Sequence, residues 1–139
     1  MRSMRVIAVA LAGLMLVLAA CSSASPSPSG TTITVTLSEY KIDMSSYTAP
    51  AGEVTFDVTN GGSMIHEFVV LKTDTLAKDL PIVGVTVDEA AFDAQGEVPE
   101  KNGGDSGTVT LTLTAGHYAI ICNIDGHVGL GMVTDLTVN

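Results

Sequence analysis

Thr108-Val109-Thr110-Leu111-Thr112-Leu113-Thr114 alternates strictly between threonine and an apolar side chain. Period two marks a strand with one buried face. Val109, Leu111 and Leu113 then point inward and the threonines outward. Two other stretches read the same way. Thr32 to Leu37 is TITVTL, and Val54 to Thr59 is VTFDVT, with Val54, Phe56 and Val58 on one face. Further strands are expected at Tyr40–Met44, Ile65–Leu71, Val83–Val87, His117–Cys122 and Met132–Val138. Turn signals separate them: Ala49-Pro50-Ala51-Gly52, Asn60-Gly61-Gly62, Asn102-Gly103-Gly104 and Ala115-Gly116. Many short strands without alternating long helices predict an all-β fold, an antiparallel Greek-key sandwich of about seven or eight strands. The region 73–106 is the least regular, rich in Asp, Glu and Gly. Within it, Thr75–Leu80 and Asp88–Ala94 are candidates for short helical turns. No internal repeat is visible.

The N-terminus belongs to a different regime. Arg2 and Arg5 precede an unbroken small and apolar run from Val6 to Ala20. That run is shorter than the roughly 20 residues a membrane-spanning helix needs. It has the charged and apolar regions of a secretory signal. Its end, Leu18-Ala19-Ala20-Cys21, resembles a bacterial lipoprotein signal, which is cut before a cysteine that becomes lipidated. The stretch Ser22-Ser23-Ala24-Ser25-Pro26-Ser27-Pro28-Ser29-Gly30 has, its two prolines apart, no apolar side chain larger than Ala and reads as a tether. The expected organisation is a signal peptide at 1–20, a lipidated Cys21 with a tether at 21–31, and one domain at 32–139. The protein is then extracytoplasmic and lipid-anchored to the cell membrane, on the periplasmic or cell-surface side.

Composition narrows the function. The chain has 139 residues, with Lys+Arg 6 against Asp+Glu 15 and a net charge of −9. Losing residues 1–20 removes two arginines and no acid, which leaves 4 bases against 15 acids and a charge of −11. Such a balance disfavours nucleic acid, whose phosphates are bound by Lys and Arg. The absence of Trp and an aromatic fraction of 4% argue against a stacking platform for single strands. There are 3 histidines, His66, His117 and His127, with no H-x-H pair. Multinuclear copper centres and di-zinc hydrolases generally use more. Once Cys21 carries lipid, Cys122 is alone in an oxidising compartment and calls for an explanation.

The segment Cys122-Asn123-Ile124-Asp125-Gly126-His127-Val128-Gly129-Leu130-Gly131-Met132 supplies one. Its spacing is C-x4-H-x4-M. Cys122 shares the parity of Tyr118 and Ile120, and Met132 that of Leu136 and Val138, so both face inward at strand ends. The glycine-rich loop between them brings thiolate, imidazole and thioether toward one point. His66, just after Gly61-Gly62-Ser63, shares the parity of Phe68 and Val70 and is available as a fourth ligand. Two His, one Cys and a weak Met are the ligand set of a blue-copper site. Soft sulfur suits Cu(I), imidazole suits both oxidation states, and the metal cycles with little rearrangement.

On these residues the chain resembles the cupredoxins, the family of plastocyanin, azurin, rusticyanin and sulfocyanin. The C-x4-H-x4-M spacing is most similar to rusticyanin and sulfocyanin. The resemblance implies one copper per chain, with His66, Cys122 and His127 as strong in-plane ligands and Met132 as the axial one. It implies that His127 is the more exposed ligand and the electron port. Val128, Gly129 and Leu130, with Met64, would form the apolar docking patch around it. Three positions depart from the family pattern. Glu67 follows the upstream His where Asn or Ser is common, and by parity it points away from the site. Asp125 stands where a Pro often precedes Gly-His, which brings a carboxylate near His127. Ile65 rather than Gly precedes His66, so a fifth, carbonyl ligand is not indicated.

Each residue also has a plainer reading. Cys122 and Met132 alone are ordinary core residues, and His127 alone is an exposed loop residue. His117 opens the Cys122 strand about 16 Å away, at about 3.3 Å per residue, and reads as structural or surface. Three functions compete. The leading one is a membrane-tethered, one-electron carrier between redox-protein donor and acceptor, with no small-molecule substrate and no enzymatic turnover. The second is copper storage or delivery on the same ligands. The third is a metal-free surface lipoprotein, for which Cys122, His127 and Met132 would not converge.

Overall fold

The structure is a computed structural model and describes residues 30–139. The expected signal peptide, Cys21 and nearly all of the expected tether lie outside the described residues. Eleven strands run in the order β1 (Thr31–Ser38), β2 (Lys41–Met44), β3 (Thr48–Ala49), β4 (Gly52–Asn60), β5 (His66–Lys72), β6 (Ile82–Val83), β7 (Thr86–Val87), β8 (Asp93–Lys101), β9 (Ser106–Leu113), β10 (Gly116–Ile121) and β11 (Val133–Val138). One sheet has the order β2-β1-β4-β9, the other β3-β11-β10-β5-β8, and β6-β7 is a small separate hairpin. The expected sandwich is present. Its pairings are mixed rather than all antiparallel, because β1 runs parallel to β4 and β3 parallel to β11. The chain leaves β2 in one sheet, bends through Ser45–Tyr47 and enters β3 in the other. That transfer closes one side of the sandwich.

The alternating segments behave as their pattern requires. Ile33, Val35 and Leu37 of β1 and Val54, Phe56 and Val58 of β4 are buried. They pack against Phe68, Val70, Tyr118, Ile120, Cys122, Leu136 and Val138 from the other sheet. Each large apolar side chain so buried contributes about 1.5–3 kcal/mol before entropy is subtracted. Leu113 is fully buried, while Val109 and Leu111 are only partly so, because β9 is an edge strand.

β5 and β10 do not alternate, and the reason is architectural. Val69, Leu71, Ala119 and Ile121 point to the outer face of their sheet. There Ala77, Leu80, Val87 and Val128 cover them in a second core. A strand buried on both faces reads as a continuous apolar run. The cover is the region 73–92. It holds 3-10 turns at Ala77–Asp79 and Glu89–Ala91, where helical turns were expected, and the hairpin β6-β7. The single strand predicted at Val83–Val87 is therefore two short ones, broken at Gly84, whose φ is +70°.

β3 and β8 were not predicted. β8 lies at the sheet edge, carries Pro99 and buries only Val98 deeply, so neither propensity nor period marks it. It approaches β9 so closely that a Cβ on Gly107 would sit 2.6 Å from Val98 Cγ1.

Candidate metal centre

Three donors from two distant segments meet at one end of the sandwich. His66 opens β5, Cys122 follows β10, and His127 stands in the loop between β10 and β11. Cys122 Sγ is 3.3 Å from His127 Nδ1 and 3.9 Å from His66 Nδ1. The two Nδ1 atoms are 3.3 Å apart. All three donor atoms lie within 4.8 Å of one another, and all three residues are buried. Met132 is fully buried in the same core cluster as Cys122, and its carbonyl accepts the Cys122 N–H at 3.1 Å.

Local chain geometry produces this convergence. The loop after Cys122 winds into tight turns. Leu130 N–H points to Gly126 C=O, Gly131 N–H to Val128 C=O and Met132 N–H to His127 C=O. Gly126 and Gly131 take φ of +82° and +93°, which a larger residue enters at a cost. Asn123 ties the loop to its neighbour. Its amide accepts the Val87 N–H at 2.7 Å and donates to Val87 C=O at 2.9 Å and to Glu89 at 2.7 Å. Gly126 N–H adds a bond to Val85 C=O. The His66 side is organised by Asn60, which is fully buried. Its amide donates to Met64 C=O and Lys101 C=O and accepts from Gly62 N–H. Sequence reasoning missed the roles of Asn60 and Asn123. The Asn-Gly-Gly signal gave only a turn, and Asn123 lies inside the motif without being a donor of it.

Burial disfavours a charge on Cys122 or His66 standing alone. Burial pushes the Cys122 thiol up, while the N–H groups of Glu67 and Ile124 pull it the other way. The Glu67 N–H reaches Cys122 Sγ at 3.4 Å. Burial and the neighbouring His127 lower His66. Its Nε2 is buried with no hydrogen-bond partner, and its Nδ1 faces another imidazole nitrogen. With one Nδ1 protonated the contact is a hydrogen bond; with both unprotonated the two lone pairs and the sulfur face one point, the arrangement a metal ion needs. A soft or borderline metal ion fits. It takes the two Nδ1 lone pairs in place of a proton and favours the thiolate.

The departures from the family pattern fall as follows. Glu67 turns away from the donors, as its parity predicts. It lines a polar recess with Glu100, Asn123, Ile124 and Asp125. Burial and the charges of Glu89, Glu97 and Glu100 raise its carboxyl to about 7. Asp125 is exposed, and among the described residues no hydrogen bond joins it to His127. His117 sits at the far end of β10, with Nε2 2.9 Å from Asp135 and Nδ1 2.6 Å from Thr73 C=O. It pins the start of the 73–92 cover to the sheet, a structural role.

One expectation needs correction. His127 was expected to be the more exposed ligand, and it is, though only barely beside the fully buried His66, Cys122 and Met132, while Val128 was expected in a docking patch on the surface. His127 is only 4% exposed and Val128 only 7%. The turns of the loop direct Val128 into the second core, and Tyr40 stands over the His127 ring. Gly129, Leu130 and Met64 do reach the surface.

This fold and this donor set define a cupredoxin, the class of blue proteins that hold one copper. A model of the sulfocyanin (SoxE) domain matches residues 14–139, and the chain belongs to the sulfocyanin family. Solved structures agree on the fold. Auracyanin A, a "blue" copper protein from Chloroflexus aurantiacus, is 27% identical with a TM-score of 0.61, covering 79% of this chain and 99% of that one. Dithionite-reduced auracyanin from Roseiflexus castenholzii is 22% identical with a TM-score of 0.62, over 78% of this chain and 97% of that one. An azurin from Methylomonas sp. strain J is 20% identical with a TM-score of 0.57, over 78% and 98%. No curated protein matches the chain.

Proposed function

We propose that this protein is a one-electron carrier whose copper would be held by His66, Cys122 and His127, with Met132 as a fourth, weaker ligand. The observation that carries the reading is the burial of two imidazole Nδ1 atoms and one thiol within 4.8 Å. Bound copper supplies a Cu(II)/Cu(I) couple, one electron gained from a donor protein and one lost to an acceptor. The chain supplies the rest. Rigid strands and the Asn60 and Asn123 brackets fix the donors, so that little must move when the charge changes. The surrounding core excludes water. The Glu67 N–H stabilises charge on the Cys122 sulfur.

The same burial favours a carrier over a copper-delivery protein, because exchange of metal needs donors that open to solvent. No substrate is transformed in this role. We further read Cys21 as the lipidated end of a tether that keeps the domain at the outer side of the cell membrane, within reach of membrane redox proteins. Among the described residues no helix is long and apolar enough to cross a membrane. Replacing Cys21 with Ser should release the protein from the membrane fraction.

One equivalent of Cu(II) added to the metal-free protein should give an intense visible copper–thiolate band and a type 1 EPR signal. Cys122→Ala should abolish both. A colourless adduct, or rapid bleaching with oxidation of Cys122, would remove the carrier reading.

A further inference from the structure

His127 stands against a residue whose backbone takes a conformation rare for its type. Tyr40, in the turn between β1 and β2, has φ +59° and is the only non-glycine residue at positive φ among the described residues. L side chains of this bulk rarely enter that region. A conformation of this kind persists only where surrounding contacts enforce it, and such sites cluster around function. Here the contacts lead to both halves of the metal centre. The Tyr40 ring stands perpendicular to the His127 ring with centroids 5.4 Å apart. That is an attractive edge-to-face arrangement. The Tyr40 hydroxyl donates to Met64 Sδ at 3.8 Å. The adjacent Glu39 carboxylate accepts from the Ser63 N–H, the Ser63 hydroxyl and the Met64 N–H. Ser63 and Met64 belong to the loop that leads into His66. One two-residue turn therefore grips the loop before one ligand and covers the ring of another. Tyr40 and Met64 are 37% and 40% exposed, against 4% for His127.

We infer that Tyr40 is a positioning and shielding residue of the metal centre. Its ring fixes the plane of His127 and closes the path from solvent to the donors. A redox partner then meets the Tyr40 and Met64 side chains, with the imidazole edge beneath them. The inference rests on the copper reading for its functional meaning, but the shield itself is a property of the metal-free protein.

The competing possibility is that Tyr40 merely shapes the turn. Tyr40→Gly separates the two, because glycine adopts positive φ freely and keeps the turn while deleting the ring. Tyr40→Asn, another residue type tolerant of this region, repeats the test independently. Tyr40→Phe keeps the ring and loses the hydroxyl. The first readout needs no copper: the rate at which iodoacetamide labels Cys122 in the folded metal-free protein, followed by peptide mass spectrometry, beside the thermal midpoint. We expect Tyr40→Gly and Tyr40→Asn to label at least about tenfold faster than wild type without a lower midpoint, and Tyr40→Phe to match wild type within about twofold. In the copper-loaded protein, added azide should perturb the copper–thiolate band of Tyr40→Gly and leave wild type unchanged. Labelling of both Tyr40→Gly and Tyr40→Asn at the wild-type rate would overturn the shield. Absence of the band from wild type would instead overturn the copper reading, while the labelling rates would still decide the shield.

Discussion

Glu39 touches no metal ligand, yet it anchors the loop that delivers His66. Its carboxyl is lowered to about 2, chiefly by the Ser63 N–H, with the Glu39 and Met64 backbone and the Ser63 hydroxyl adding to it. A carboxyl lowered on folding stabilises the native state above its ordinary value of 4.5 and loses that contribution as pH falls through about 2. Glu39→Gln removes the ionised acceptor. Its thermal midpoint should fall below that of wild type at neutral pH, and the gap should close between pH 4.5 and about 2. A gap that stays constant over that range would mean that the charge of Glu39 does not hold the loop. At this scale the sequence was most legible where chemistry constrains residue type. Cys122, His127 and Met132 lie close together in one loop, and few other roles demand a thiol, an imidazole and a thioether at that spacing. The shielding of His127 was not legible. It depends on Tyr40, which no local pattern links to the loop.

The ligand loop is an element held both by its own turns and by its neighbours. Its one regular feature is a series of tight turns, and its firmest external bonds go through Asn123 to Val87 and Glu89. Asn123→Ala leaves the Val87 N–H and C=O short of partners. The expected loss is about 1–3 kcal/mol in urea unfolding, the usual cost of leaving such groups unpaired. Copper should also pass to a chelator faster than in wild type, because the loop that carries His127 is no longer tied down. Unchanged stability with unchanged copper release would show that the hairpin β6-β7 is not a brace. The half-buried strands β1, β4 and β9 were readable because one face meets the core and the other meets water. β5 and β10 showed continuous apolar runs because the 73–92 region covers their outer face, and that cover is a tertiary fact. β8, a polar edge strand, carries almost no local signal.

At the scale of the whole molecule, two sheets, a second small core and a closed donor cluster form one frame. Folding assembles donors from β5 and from the β10–β11 loop, so the unfolded chain has no comparable site. A metal that binds the folded state alone must stabilise it. The copper-loaded protein should therefore unfold at a clearly higher temperature than the metal-free form, and removing the metal with a Cu(I) chelator should lower the midpoint again. Equal midpoints would mean that the donors do not act together. In the proposed role this frame holds one copper through both oxidation states without rearranging. Voltammetry of the copper-loaded protein is the decisive measurement. A single reversible one-electron wave is expected, with both peaks retained as the scan rate is changed and through repeated cycles. An irreversible wave, with copper released on reduction or Cys122 consumed on oxidation, would contradict it.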